Sequence, residues 1–153
     1  MPKVVLVEPR IPPNTGNVAR LCAALKIPLH LVGPLGFQIT DRHLKRAGLD
    51  YWDLVEVHRH PCLEDFLSGI PPEPLHFFSK KAQRSYVEAN FGFADYLIFG
   101  SETRGLPEWL FESYPDRFWR IPIFEEGVRS LNLASAVAIV TYEVLRQNGC
   151  LAS

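Results

Sequence analysis

Short apolar runs alternate along the chain with stretches whose apolar positions recur at helical spacing. Val4-Val5-Leu6-Val7 reads as a buried strand, and Val18, Leu21, Cys22 and Leu25 then fall at i, i+3, i+4 and i+7, one stripe of a helix. His30-Leu31-Val32 is a second strand, ended by Gly33-Pro34, and Asp41–Ala47 is a short basic helix. Leu54–His58 is a third strand and Cys62–Leu67 a short helix; Leu75–Phe78 and Tyr96–Phe99 are the fourth and fifth strands. Pro107–Glu112 is helical with proline near its first position, Phe118–Ile123 is a sixth strand, and Leu131–Gln147 is the last and longest helix. Strands interleaved with helices predict an α/β fold, a mostly parallel sheet flanked by helices. The stretch Ser68–Pro74 is the most linker-like, yet too short to separate a pair of domains, so residues 1–153 are expected to form a single domain.

The last helix departs from a one-sided pattern. Leu133, Val137, Ile139, Val140, Val144 and Leu145 point in several directions around it, and a helix apolar on most sides has to be covered on most sides. In a chain of 153 residues, a second copy is an economical cover, so a homodimer is expected. Tyr142 reads as a packed aromatic of that helix, and Trp109 and Trp119 as core or interface residues rather than stacking platforms.

Composition sharpens the picture mainly by exclusion. Sixteen Lys and Arg nearly cancel seventeen Asp and Glu, so only a local basic patch could speak for nucleic acid. Cys22, Cys62 and Cys150 lie far apart with no CxxC spacing, which argues against disulfides and a zinc knuckle. His58 and His60 could share a strand face, but they read as solvated histidines, and no metal is expected. No apolar run approaches the roughly 20 residues of a membrane span, and no secretory signal precedes Val4–Val7. A soluble, reducing, cytoplasmic setting is the expectation, with no membrane partner.

Three segments could carry chemistry. Pro13–Arg20 lies between the first strand and first helix, where ligands of open α/β sheets gather. Asn14, Thr15 or Asn17 could cap the helix, Gly16 could form a tight turn, and Arg20 points away from the apolar stripe. A capped helix with a solvated arginine explains the same residues. Gly100–Pro107 also joins a strand to a helix and holds two glycines, Glu102 and Arg104; it could offer backbone groups to a ligand, or be a helix-entry turn with surface charges. It is neither GxGxxG nor a Walker A sequence, which weakens a dinucleotide, ATP or flavodoxin-like nucleotide-binding reading. Ser130–Ala136 opens the last helix, with Ser130 as its expected N-cap and small residues that admit a ligand or another backbone. Asp41–Arg46 is a basic cluster that could meet phosphates, though a charge run is commonly a solvated face.

Taken in order, Asn14-x-Gly16-Asn17-x-x-Arg20, Gly100-x-Glu102-x-x-Gly105-Leu106-Pro107 and Ser130-Leu131-Asn132-Leu133 resemble the three motifs of the SpoU branch of SPOUT RNA 2′-O-methyltransferases. Glu8–Asn17, Arg46–Tyr51 and Arg120-Ile121-Pro122 extend the resemblance, over nearly the whole chain, to the minimal single-domain subfamily acting on the tRNA wobble nucleotide, cytidine or modified uridine. Two departures are Ser101, where that subfamily usually has Pro, and Leu133-Ala134-Ser135, where it has Leu-Ser-Asn. The resemblance implies a C-terminal deep trefoil knot, a homodimer, and S-adenosylmethionine as methyl donor with S-adenosylhomocysteine as product. It implies cofactor binding by Phe78, Ser79, Gly100, Glu102, Gly105, Ile121, Ser130, Leu131 and Asn132, with Glu102 and Arg104 shaping their loop or meeting RNA. Arg20, reaching the partner's pocket, and Asn14 are the implied catalytic residues. Related enzymes give Arg20 the removal of the 2′-hydroxyl proton, but a guanidinium pKa above about 12 suits phosphate binding and alignment better. Arg10, Arg42, Lys45, Arg46, Arg104 and Arg129 are the candidates for contacts to the tRNA anticodon stem-loop. The competing readings are methylation of another tRNA or rRNA ribose, and a non-catalytic knotted RNA-binding protein.

Overall fold

The computed structural model describes residues 1–38 and 51–152. The expected helix at Asp41–Ala47 and the RNA-contact candidates Arg42, Lys45 and Arg46 lie outside the described residues. Six strands, β1 (Lys3–Val7), β2 (Leu29–Val32), β3 (Val57–His60), β4 (Leu75–Phe78), β5 (Tyr96–Phe99) and β6 (Phe118–Trp119), form one sheet in the order β3-β2-β1-β5-β4-β6. Every pairing is parallel. Four described helices flank it: α1 (Pro12–Leu25), α2 (Leu63–Leu67), α3 (Trp109–Ser113) and α4 (Leu133–Gln147).

Both sheet faces are covered, as an all-parallel sheet requires. Val4 and Leu6 of β1 pack on one side with Val18, Ala19 and Cys22 of α1 and Val137, Val140 and Val144 of α4. Val5 and Val7 pack on the other with Leu63, Phe66 and Leu67 of α2 and Leu110 of α3. This explains why the strands read as continuous apolar runs: alternate side chains enter different cores.

Several element ends differ from expectation for identifiable reasons. Helix α1 starts at Pro12, so Asn14, Thr15, Gly16 and Asn17 are helical residues and not a capping loop. Prolines at its first two positions remove two otherwise unpaired N–H groups. The residue at the N-cap is Ile11, which has no side-chain acceptor. Helix α4 is capped by Asn132, whose side-chain oxygen accepts from Ala134 N at 2.9 Å and Ser135 N at 3.3 Å, so Ser130 is not the cap. Strand β6 stops at Trp119 because β4 has ended; Ser79 N donates to Trp119 O, and Arg120 pairs with Ser85 instead. A turn through Tyr51–Val55 delays β3 to Val57, and α3 begins at Trp109, after Pro107.

Tyr142 is only partly packed within the chain: it is 43% exposed, and Ile139 beside it 37%. Trp119 is core, whereas Trp109 keeps 38% of its surface exposed. His58 and His60 do share a face, but they are not simply solvated. Both stack on buried His30, and His30 Nδ1 lies 2.9 Å from His60 Nε2. Burial, with His58 and His60 nearby, lowers the His30 pKa to about 4. No helix among the described residues is long and apolar enough to cross a membrane.

Candidate active site

A cavity of about 780 Å³ opens beyond the carboxyl ends of β4 and β5, where open parallel sheets place their ligands. Its walls come from Phe78 and Ser79 at the end of β4, Phe99–Leu106 from the end of β5 onward, Ile121 and Ile123 after β6, and Arg129–Leu133 leading into α4. Each cofactor candidate (Phe78, Ser79, Gly100, Glu102, Gly105, Ile121, Ser130, Leu131 and Asn132) lies on these walls, as do Asn14, Arg104 and Arg129. Sequence reading missed Lys80 and Lys81, which follow Ser79 on the cavity wall; the doublet next to a strand end was the available signal. Lys81 is paired with Glu108.

The three motifs meet through one chain of hydrogen bonds. Asn132 Nδ2 donates to Asn14 Oδ1 at 3.2 Å, and Asn14 Nδ2 reaches Glu102 Oε2 at 3.4 Å. The Glu102 carboxylate also accepts from Arg10 N and Ile11 N, each at 2.9 Å. It holds the backbone just ahead of α1, whose first-turn donors Asn14 N and Thr15 N turn to Ile11 O, and the anion sits where the α1 dipole favours it. Glu102 thus shapes the site by fastening α1 to the cavity loop.

That loop is tightly folded on itself. A Cβ on Gly100 would lie 2.2 Å from the Gly105 carbonyl carbon and 2.4 Å from Leu106 N, so only glycine lets β5 end there. Gly105 adopts φ +68°, which favours glycine again. Ser101 closes the turn: its hydroxyl accepts from Arg104 N at 2.9 Å and its carbonyl from Gly105 N at 3.0 Å. The departure at Ser101 therefore has a local role in holding the loop.

Elsewhere in the sheet a buried polar set ties β4 to β6. Trp119 Nε1–H can only donate, and it does so to His76 Nδ1 at 3.1 Å. The His76 proton is therefore on Nε2, facing Asp95 Oδ2 at 2.7 Å, which also accepts from Gly92 N. Burial lowers the His76 pKa and outweighs the opposing pull of Asp95. Cys22 is no nucleophile, since burial pushes its thiol up to about 12.

The structure does not bring Arg20 or Arg10 to the cavity wall. Arg20 is exposed on α1, its guanidinium 5.1 Å from the Tyr51 ring centre, consistent with the outward direction expected for it. Arg10 is exposed, and its backbone N–H is the group bound to Glu102. Leu21 and Leu25 of α1 remain half-buried, and Ile139 and Tyr142 leave an uncovered face on α4. Among the described residues, no three His, Cys, Asp or Glu side chains form a metal-holding group.

An α/β cavity built from three such motifs defines a class, and comparison places the chain in it. Residues 1–142 match the SpoU rRNA Methylase family, and the chain belongs to that family. It is 46% identical, over 95% of its own length and 94% of the relative's, to the tRNA (cytidine(34)-2'-O)-methyltransferase of Aeromonas hydrophila subsp. hydrophila. A solved structure concerned with 2-OH methylation of C/U34 on tRNA superposes with TM-score 0.89 at 46% identity, covering 97% of this chain and 91% of that one. An rRNA methyltransferase from Sinorhizobium meliloti, solved with AdoMet bound, superposes with TM-score 0.83 at 25% identity, covering 99% of this chain and 57% of that one.

Proposed function

We propose that the chain transfers a methyl group from S-adenosylmethionine to the ribose 2′-hydroxyl of the wobble nucleotide, cytidine or modified uridine, in the tRNA anticodon loop. The observation that carries this reading is the meeting of Asn14, Glu102 and Asn132 at one cavity, in a chain 46% identical to a relative named for that reaction.

The cavity's chemistry fits the cofactor. Phe78, Phe99, Leu106, Ile121, Ile123 and Leu133 offer apolar walls to an adenine ring, and Gly100 at the pinched loop, with Ile121 and Leu131 on the adjoining walls, offers backbone groups. Lys80, Arg104 and Arg129 supply positive charge for a carboxylate or for RNA phosphates. When bound, the cofactor supplies an electrophilic methyl on a sulfonium. The chain's own residues mainly position the ribose oxygen and exclude competing water. Asn14, held between Glu102 and Asn132, fixes the near edge of the site.

The working unit in this proposal is a cytoplasmic homodimer with a C-terminal trefoil knot. The uncovered Ile139 and Tyr142 of α4 support a second copy as the cover. In that arrangement the partner subunit's Arg20 reaches the cavity, binds the phosphate next to the target ribose and aligns its hydroxyl. A guanidinium stays charged near neutrality, so phosphate or water takes the proton. Arg20→Lys tests this, since an ammonium keeps the charge but not the planar fork. A fall in kcat of at least about tenfold with unchanged S-adenosylhomocysteine binding is expected. Full activity at neutral pH with unchanged tRNA affinity would remove Arg20 from the mechanism, and failure to label any RNA ribose would remove the function.

A further inference from the structure

Phe124 is the anomaly of the cavity rim. It is 96% exposed, more than any other large apolar residue among those described. Its neighbour Ile123 lines the cavity, and Arg129 resumes the wall, so the intervening segment crosses the rim. The segment is folded: Val128 N donates to Glu125 O at 3.1 Å, and Gly127 N donates to a Glu125 side-chain oxygen at 3.1 Å. An ordered turn thus holds a phenyl ring in water at the edge of the site.

We propose that Phe124 stacks on the base of the nucleotide whose ribose enters the cavity. This rests on the RNA methyl-transfer reading above and names a residue that orients its substrate. A nucleotide that puts its 2′-hydroxyl into the mouth leaves its base outside, beyond the wall residues, where a rim side chain has to meet it. Phe124 stands one residue beyond the wall. Charge sorts the two ends of the nucleotide. Lys80, Arg104 and Arg129 present cations for the phosphates, whereas Glu125 and Glu126 beside Phe124 repel phosphate and leave that side to an uncharged base. Basic groups with an exposed aromatic are the pattern of single-strand recognition, in which every base offers a face to the ring. An unpaired anticodon nucleotide is such a single-stranded base.

The test compares Phe124→Ala and Phe124→Trp with the wild type, using unmodified tRNA transcript and labelled S-adenosylmethionine. At 96% exposure neither variant threatens the fold. The expected result is a tRNA KM raised about 10- to 100-fold in Phe124→Ala, following the usual cost of losing one base–aromatic stack. The cofactor KM and S-adenosylhomocysteine binding stay unchanged, and Phe124→Trp stays within about threefold of wild type. A Phe124→Ala enzyme with unchanged tRNA KM overturns the inference alone. A Phe124→Ala defect that instead tracks weakened S-adenosylhomocysteine binding, or a changed sedimentation coefficient, also overturns it, assigning the ring to the cofactor or to a second copy. A wild-type protein that labels no RNA overturns the underlying function as well.

Discussion

Glu102→Ala removes the acceptor of two backbone N–H groups, Arg10 N and Ile11 N, each 2.9 Å from the carboxylate. Hydrogen bonds to a charged partner contribute about 1.5–3 kcal/mol each in mutational series. Both bonds are solvent-exposed, where water can partly replace the lost acceptor, so the low end of about 1.5 kcal/mol each applies and the total is about 3 kcal/mol. For a chain of this length that corresponds to a Tm lowered by about 5–10 °C. Glu102→Gln keeps one neutral oxygen and opposes its amide N–H to a backbone N–H, so it should recover less than half of the loss. The consequence extends to the site, because Asn14 loses one of its two side-chain restraints and is left tied only to Asn132. Thermal unfolding and calorimetric titration with S-adenosylhomocysteine, on the same preparations, read both effects. The expected order in stability is wild type, Gln, Ala, with cofactor-product affinity reduced at least about tenfold in Ala. A Glu102→Ala protein that melts within about 1 °C of wild type (about 0.3 kcal/mol) and binds equally well would refute the claim that this carboxylate fastens α1 to the site.

Gly100→Ala drives a methyl into the Gly105–Leu106 backbone, which has to retreat by about 1 Å; misplacement on that scale costs on the order of 100-fold. Its affinity for S-adenosylhomocysteine should collapse while Gly127→Ala, facing only the Glu125 side chain, retains it; equal affinities would contradict a pinched loop. His30 has a folded pKa near 4 against 6.5 unfolded, so it contributes no pH dependence well above pH 6.5 and costs stability as pH falls from there towards 4 and below. At about pH 4.5 that loss is about 2.5 kcal/mol, and urea unfolding at about pH 7.5 and 4.5 should show His30→Asn losing less than wild type by roughly that amount; identical losses would refute it. The cations at the rim predict that tRNA binding weakens as salt rises, and a flat salt response in a filter-binding series would remove Arg104 and Arg129 as phosphate contacts.

Strands β4 and β5 are legible to the residue in the sequence because short apolar runs bounded by Pro, Asp and Gly leave little freedom. The start of α1 is not, because Pro12-Pro13 reads as loop punctuation, and the carboxylate that holds the backbone leading into the helix is Glu102, some ninety positions later. Asn132 displaces Ser130 as cap for a similar reason: both can accept, and only the path of the wall segment decides which reaches Ala134 and Ser135. Much of the cavity wall follows from the second and third motifs, yet their hydrogen-bonded meeting at Asn14 needs the parallel sheet to place β1 beside β5. The His76–Asp95–Trp119 set leaves no sequence signal, since its members are spaced 19 and 43 residues from His76. Exposure of Tyr142 and Phe124 is likewise a property of the fold, which no periodicity of apolar positions announces.

Wobble-ribose methylation is tested most plainly by incubating the protein with unmodified tRNA and methyl-labelled S-adenosylmethionine and mapping the product by nuclease digestion and mass spectrometry. One added methyl on the ribose of the wobble nucleotide is expected, with the base unmodified. A methyl on a base, or on a ribose outside the anticodon loop, would contradict the proposed function.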